Sequence, residues 1–178
     1  ENKLVKLKKK KIGILGGTFD PAHLGHLRIS IEAKKKFKLK RIIWAITKKN
    51  PFKKKSSNSL NQRIKFSEKF SKQTKFIKVK YFDDLVKSSR AYELISYYLK
   101  KNRDIELYFL MGADCLIDFH KWYKWKKILE KCNVIVFDRY KYKSKSLRSP
   151  AFKGFKNKGI KFVNYKRVNI SSSKLRKI

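Results

Sequence analysis

A glycine turn followed by two closely spaced histidines is the most chemically suggestive feature of this 178-residue sequence. Gly16, Gly17, Thr18 and Phe19 precede His23 and His26. Glycines let backbone N–H groups come close to a phosphate, and the Thr18 hydroxyl can add a donor. Histidines three residues apart face the same way on the first turn of a helix, where the helix dipole also favours anions. The pattern indicates charge stabilisation on a transferring phosphoryl group.

Other chemistries fit these residues less well. A glycine pair is often present simply because a strand-to-helix turn is tight, and a lone histidine is more often structural than catalytic. Zinc would need a third ligand, and His120, Cys115 and Cys132 are at unsuitable spacing. The sequence also lacks the Gly-Lys-Ser/Thr of a P-loop and the Gly-x-Gly-x-x-Gly of a dinucleotide turn. We therefore expect no metal held by the protein and no hydride transfer.

Alternating strands and helices are predicted around this motif. The strands are expected at residues 11–15, 41–46, 76–79, 105–111, 133–137 and 161–164, and the helices at 24–37, 60–72, 91–101, after Ala113 and at 125–131. Leu24, Leu27 and Ile31 should form the buried face of the first helix. Residues 83–90 and 140–159 are predicted to be loops. The spacing indicates an α/β fold with a doubly wound, Rossmann-like parallel sheet, in a single domain over residues 1–178 with a basic lead-in at 1–10.

The charge of the chain is extreme. Lys and Arg number 49 against 13 Asp and Glu, which gives a formal net charge of +36. Such a charge attracts nucleic acids, anionic membranes and phosphorylated ligands alike. Because lysines are spread over every segment, we interpret the charge as compositional bias plus attraction for small phosphorylated ligands, and we expect no specific nucleic-acid partner.

Hydropathy and cysteine content bound the cellular setting. No run of eighteen apolar residues is present, so we expect no membrane span and no membrane partner. Two cysteines do not make a disulfide framework, and a reducing, cytoplasmic location is expected. The oligomeric state is left open.

Two segments resemble the signatures of the nucleotidylyltransferase superfamily. Residues 16–26, GGTFDPAHLGH, resemble the first signature, whose core is His-x-Gly-His. Residues 170–176, ISSSKLR, resemble the second, Ile-Ser-Ser-Thr-x-Ile/Leu-Arg, with Ser173 in place of Thr. Between them, FLMGAD at 109–114 and FHKW at 119–122 resemble a block of the bacterial nicotinate-nucleotide adenylyltransferases, as do residues 50–53 and 138–139.

The resemblance implies that ATP and nicotinate mononucleotide react to give nicotinate adenine dinucleotide and pyrophosphate in NAD biosynthesis, with Mg²⁺ accompanying ATP. It implies catalytic roles for His23, His26 and Thr18. The implied ATP-binding residues are Gly16, Gly17, Thr18, Phe19, His23, His26, Gly112, Asp114 (at the ribose), Arg139, Ser172, Ser173 and Arg176. The implied acceptor-binding residues are Lys53, Arg90 and Trp122, with Trp122 stacking on the pyridine ring.

The chain departs from the family pattern at two places. Residues 88–94 differ from the family's Thr-x-Asp-Thr-Leu, so the choice between nicotinate and nicotinamide mononucleotide is unassigned. Relatives usually continue with a helical segment beyond Arg176, and we expect that segment to be short or missing.

Two alternative functions stay open. One alternative is another nucleotidylyltransferase, such as pantetheine-phosphate adenylyltransferase, which shares both signatures but lacks the Phe-x-x-Trp block. The other is a non-catalytic nucleic-acid-binding protein on the same fold.

Overall fold

Six parallel strands form a single sheet in the computed structural model, which describes residues 8–48, 55–138, 142–155 and 158–164. The strands are β1 (Lys10–Gly17), β2 (Arg41–Ile46), β3 (Ile77–Tyr81), β4 (Ile105–Gly112), β5 (Asn133–Phe137) and β6 (Ile160–Val163). Their order in the sheet is β3-β2-β1-β4-β5-β6, and each neighbouring pair is parallel. The chain therefore runs outward from β1 on one side and from β4 on the other, as in a doubly wound sheet. The predicted fold class is confirmed.

Helices connect the strands and cover both faces of the sheet. They are α1 (Leu24–Phe37), α2 (Leu60–Ser71), α3 (Asp83–Val86), α4 (Ala91–Lys101), α5 (Ala113–Ile117), a 3₁₀ turn (Phe119–Lys121), α6 (Trp125–Lys131), α7 (Lys143–Leu147) and α8 (Pro150–Phe155). None of these described helices has the length and apolar character of a membrane span.

Successive strand residues point to opposite faces, so the sheet lies between two hydrophobic layers. Ile43 and Phe109 belong to the layer that α4, α5 and α6 cover. Trp44 and Leu110, their neighbours in sequence, belong to the layer that α1 covers and α2 packs against. Burial on both faces explains why β2 and β4 contain continuous apolar runs without polar alternation.

The predicted buried face of α1 is wrong at two of its three residues, whereas the third, Leu27, packs partly buried against the core. Leu24 is 45% exposed and Ile31 is 38% exposed, whereas Ser30 is fully buried. The Ser30 hydroxyl accepts a hydrogen bond from the Trp44 indole N–H at 2.8 Å and donates one to the His26 carbonyl at 2.8 Å. A polar residue with both bonds made can be buried at little cost, so Ser30 lies on the buried face of α1 together with Ile29 and Ala33.

Two segments predicted to be loops contain short helices. Residues 83–90 include α3, where Asp83 and Asp84 occupy the first turn and complement the helix dipole. Residues 140–159 include α7 and α8. Pro150 suits the first position of α8, and the fully buried Ala151 packs it against the core. Each element is too short to show helical periodicity in the sequence.

Candidate active site

His23 and His26 form a reciprocal cap at the start of α1, directly beyond the end of β1. His23 is the N-cap, and its Nδ1 accepts a hydrogen bond from the Gly25 backbone N–H at 2.9 Å. The His26 Nδ1 accepts one from the His23 backbone N–H at 3.1 Å. This is a capping box in which histidines replace the usual Ser/Thr and Glu/Gln. The two ring centroids lie 4.0 Å apart, so the rings lie together as predicted.

The cap determines where each imidazole carries its proton. Because Nδ1 of both rings accepts a backbone N–H, the proton of each neutral ring must be on Nε2. His23 and His26 are only 2% and 6% exposed, which limits competition from water. Each ring therefore has an Nε2–H donor of the kind that binds a phosphate oxygen.

Aromatic packing holds the histidine pair in place. The Phe19 ring stacks on His26 at a centroid distance of 4.4 Å, and Trp44 stacks on Phe19 at 5.2 Å. Phe19 adopts a left-handed backbone conformation with φ of 49°, which is costly for a residue with a side chain. Trp44 also reaches the His26 carbonyl through Ser30. The position of His26 is thus fixed by its ring and by its backbone.

Glycine occupies three positions around the turn, and the physical reason differs between them. A Cβ atom on Gly25 would lie 2.6 Å from Cε1 and 2.8 Å from Nδ1 of His23, so the histidine cap requires glycine there. A Cβ atom on Gly16 or Gly17 would meet its nearest neighbour at 3.7 Å or 3.6 Å, an ordinary contact. Packing among the described residues does not demand these two glycines, and a glycine at each position leaves room for the close approach of a ligand.

The end of β4 lies beside the end of β1, because the two strands pair with Leu15 opposite Leu110. Gly112 ends β4 and is the N-cap of α5, and Asp114 lies in the first turn of that helix, partly exposed. The edge between β1 and β4 is the point at which the strand order reverses, where ligands bind in open α/β sheets. The structure therefore brings Asp114 to the same edge of the sheet as the histidine pair.

Trp122 and Arg90 lie in one neighbourhood on the β4 side. Trp122 is half-buried and packs edge-on against Phe119, with a centroid distance of 5.2 Å. Arg90, the N-cap residue of α4, holds its guanidinium 4.4 Å from the ring centroid of Tyr123, the residue after Trp122. Tyr92 packs edge-on against Tyr123 at 5.8 Å. A cationic and aromatic cluster thus forms around Tyr123, the residue that follows Trp122.

Sequence reasoning missed two buried charged residues, Asp20 and Arg63. The Asp20 carboxylate accepts hydrogen bonds from the Ser57 N–H at 2.7 Å and from the Asn58 N–H at 3.0 Å. Arg63, 2% exposed, donates to the carbonyls of Thr18, Thr47, Lys48 and Asn58 at 2.8, 2.8, 2.9 and 3.3 Å. Burial lowers the pKa of the Arg63 guanidinium, and the nearby Asp20 charge opposes that shift. The one signal in the sequence for the buried role of Arg63 was the choice of arginine in a chain whose basic residues are mostly lysine.

Comparison with known proteins identifies the family. The cytidylyltransferase-like family model matches residues 14–178. The chain belongs to the cytidylyltransferase-like family. It is 58% identical over 171 residues to the probable nicotinate-nucleotide adenylyltransferase of Pelagibacter ubique, covering 96% of this chain and 94% of that one. The corresponding Clostridium botulinum (strain Eklund 17B) protein is 36% identical over 172 residues, covering 94% and 85%.

Solved structures agree on the fold of this cytidylyltransferase-like chain. The Plasmodium falciparum nicotinic acid mononucleotide adenylyltransferase, solved in complex with NaAD, superposes with a TM-score of 0.73 at 20% identity, covering 94% of this chain and 83% of that one. A putative nicotinate-nucleotide adenylyltransferase from Vibrio parahaemolyticus gives 0.65 at 20% identity, covering 94% and 84%. The predicted resemblance to the nicotinate-nucleotide adenylyltransferases is confirmed, and the chain is a nucleotidyltransferase.

Five of the predicted site residues of this cytidylyltransferase-like chain lie outside the described residues. They are Lys53, Arg139, Ser172, Ser173 and Arg176. The whole second signature, residues 170–176, also lies outside the described residues. Among the residues that the structure describes, no group of three or more His, Cys, Asp and Glu could hold a metal ion.

Proposed function

We infer that this protein transfers the adenylyl group of ATP to nicotinate mononucleotide, giving nicotinate adenine dinucleotide and pyrophosphate for NAD biosynthesis. The observation that carries the transfer chemistry is the reciprocal histidine cap, which gives two buried rings an Nε2–H donor at the switch point of the sheet. The nicotinate acceptor follows from the 58% identity to the Pelagibacter ubique relative.

The reaction needs no covalent intermediate with the protein. An oxygen of the mononucleotide phosphate attacks the α-phosphorus of ATP, the bond from that phosphorus to the bridging oxygen breaks, and pyrophosphate leaves with the electron pair. Catalysis then consists of positioning the two phosphates and stabilising the charge that develops on their oxygens. His23 and His26 donate from Nε2 to ATP phosphate oxygens. Thr18 and the backbone of residues 16–19 bind the transferring phosphate.

The other site assignments are part of the same proposal. Phe19 supports His26, and Gly16 and Gly17 leave room for the triphosphate. On the β4 side, the Gly112 backbone and the Asp114 carboxylate bind the adenosine, with Asp114 accepting hydrogen bonds from the ribose hydroxyls. Arg139, Ser172, Ser173 and Arg176 hold the outer phosphates. Lys53, Arg90 and Trp122 bind the acceptor, with Trp122 stacking on the pyridine ring.

Magnesium is proposed to arrive with ATP. The Asp20 carboxylate, which lies closest in sequence to the histidine pair, already accepts three N–H donors from Ser57 and Asn58 and offers little to a metal. This supports a cation bound mainly through phosphate oxygens and water, which neutralises charge on the leaving pyrophosphate. The cytoplasmic location, the lack of nucleic-acid and membrane partners and the single-domain extent of residues 1–178 stay predictions from the sequence.

Pyrophosphate release tests the function directly. The purified protein is given Mg²⁺–ATP with nicotinate mononucleotide, nicotinamide mononucleotide or phosphopantetheine in parallel. We expect the highest kcat/KM with nicotinate mononucleotide. Preference for phosphopantetheine would favour the other nucleotidylyltransferase activity. Absence of release with every acceptor, together with salt-sensitive binding to any DNA duplex, would favour the non-catalytic protein suggested by the +36 charge.

A histidine variant tests the site within that assay. Loss of one stabiliser of developing charge costs about 10²–10³-fold in kcat, which we expect for His26→Ala. His120→Ala is the control, because His120 is the one histidine outside the pair and should leave turnover unchanged. A folded His26→Ala protein with normal turnover would reject the assigned site.

A further inference from the structure

A chain of hydrogen bonds runs along the carboxyl edge of the sheet and begins at Arg63 on α2. Its Nη1 donates to the carbonyls of Thr18 and Thr47, both at 2.8 Å, and its Nη2 donates to the Lys48 carbonyl at 2.9 Å. Thr18 follows β1, and Thr47 and Lys48 follow β2. One side chain therefore ties the segment after β1 to the segment after β2.

Asp83 continues the chain to the segment after β3. The backbone N–H of Lys48, whose carbonyl is bound by Arg63, donates to the Asp83 Oδ2 at 2.8 Å. The same oxygen accepts the Ser89 hydroxyl at 2.6 Å. In the next turn the Ser88 hydroxyl accepts the backbone N–H of Arg90 at 3.0 Å. The peptide group between Thr47 and Lys48 thus joins Arg63, which binds its carbonyl, to Asp83, which binds its N–H, and through Asp83 to the residues before α4.

The burial of Arg63 indicates that its hydrogen bonds serve to hold these loops in fixed positions. Burying a guanidinium is costly unless its donors are satisfied. Arg63 is 2% exposed and directs its donors to four backbone carbonyls in three separate segments. An apolar side chain would fill the same space more cheaply but would not supply these four hydrogen bonds. The effect of Arg63 is therefore to set the relative positions of the segments.

We propose that Arg63, Lys48, Asp83 and Ser89 form a loop relay that positions residues 88–90, the acceptor loop, relative to the phosphate-binding turn at 16–19. This rests on the proposed function, in which Thr18 binds the transferring phosphate and Arg90 faces the acceptor. In-line attack requires the two reacting atoms to approach to about 3–3.5 Å, so a small displacement of the acceptor loop is expensive. Asp83 is thereby a positioning residue that acts on the acceptor and not on ATP.

Asp83→Ala tests the relay, with Asp84→Ala as its matched control. Both residues lie in the first turn of α3 and carry the same charge, but Asp84 is exposed and accepts only a long hydrogen bond of 3.2 Å from the Tyr81 hydroxyl among the described contacts. Asp83→Ala should raise the KM for nicotinate mononucleotide about 10-fold or more, as expected for losing hydrogen bonds to a charged group, with little change in the KM for ATP. Asp84→Ala should change neither. Ser89→Ala should add nothing to Asp83→Ala, because both break the same connection.

A purely structural role for Asp83 predicts a different result. The KM values for both substrates would then rise together as the protein loses stability in thermal melts. Equal increases, or an unchanged KM for the acceptor, would overturn the relay.

Amide hydrogen exchange keeps the test independent of activity. In Asp83→Ala, exchange should become faster at Lys48 and at Arg90, and in Asp84→Ala it should match the wild-type protein. Unchanged exchange at Arg90 in Asp83→Ala would overturn the coupling. Wild-type protein that releases no pyrophosphate with nicotinate mononucleotide would reject the proposed function, while the exchange data would still decide whether the loops are coupled.

Discussion

Substitution of Gly25 should displace the ring of His23, one of the two histidines proposed to act in catalysis, while leaving both histidines in the sequence. In Gly25→Ala the new methyl group would lie 2.6 Å from Cε1 and 2.8 Å from Nδ1 of His23, closer than such atoms approach in real proteins. The His23 ring must turn away. It then loses the 2.9 Å hydrogen bond from the Gly25 N–H that fixes its orientation.

The effects on stability and on activity should differ sharply. Loss of an N-cap costs about 1 kcal/mol, whereas replacing a helical glycine by alanine gains roughly 0.5–1 kcal/mol. These terms offset each other, so the free energy of unfolding should change by less than about 1 kcal/mol. Misplacement of one donor to the developing charge should lower kcat by about 10²–10³-fold.

Denaturant titration and pyrophosphate release measure the two quantities separately. Gly154→Ala is the control, because a Cβ atom on this α8 residue would meet no atom of the described residues within 4 Å. That variant should unfold with a free energy up to about 1 kcal/mol higher and keep its turnover. A stable Gly25→Ala protein with wild-type kcat would refute the proposed role of the histidine cap.

Three further predictions address the other side of the site and the thiols. Asp114→Ala should raise the KM for ATP by the equivalent of about 1.5–3 kcal/mol and leave the acceptor KM unchanged in steady-state assays; the reverse would assign Asp114 to the acceptor. Trp122→Ala should weaken nicotinate mononucleotide by about 1–3 kcal/mol in ligand titrations with ATP affinity retained, whereas equal losses and a lower Tm would indicate a packing role. Burial raises the pKa of Cys132 to about 12, so a thiol reagent at pH 8.5 should modify it only when denaturant unfolds the protein, and rapid modification of the native protein would contradict this. Because the folded-state pKa of Cys132 is raised above its ordinary value, burial of the neutral thiol contributes to the free energy of unfolding below pH 9. That contribution is lost as the pH rises towards 12.

The central strands were predictable because each contains a short apolar run between polar segments. The predicted bounds of β2 and β5 coincide with the structure, as do those of α1 and α4. The location of the histidine pair at the start of α1 was equally predictable, since a strand, a glycine turn and a helix must follow one another there. These features depend only on neighbours within a few residues.

Features that depend on distant partners were not predictable. Arg63 is polar and lies on a helix, so its type favours an exposed position, and its carbonyl partners lie up to 45 residues away. Ser30 was missed for the same reason, because its partner Trp44 comes from another element. The α1 face was predicted only in part, because the hydrophobic pattern of a helix does not include a serine that is buried through a hydrogen bond from another element.

The pairing of β1 with β4 joins parts of the chain that are far apart, with Ile12 opposite Leu107. His23 and His26 come from the half of the sheet built on β1, and Asp114 and Trp122 come from the half built on β4. In the proposed mechanism neither half holds a complete site. A folding intermediate in which both halves are formed but β1 and β4 are not yet paired would therefore be inactive. The time at which turnover appears during refolding would then report when this central strand pair forms.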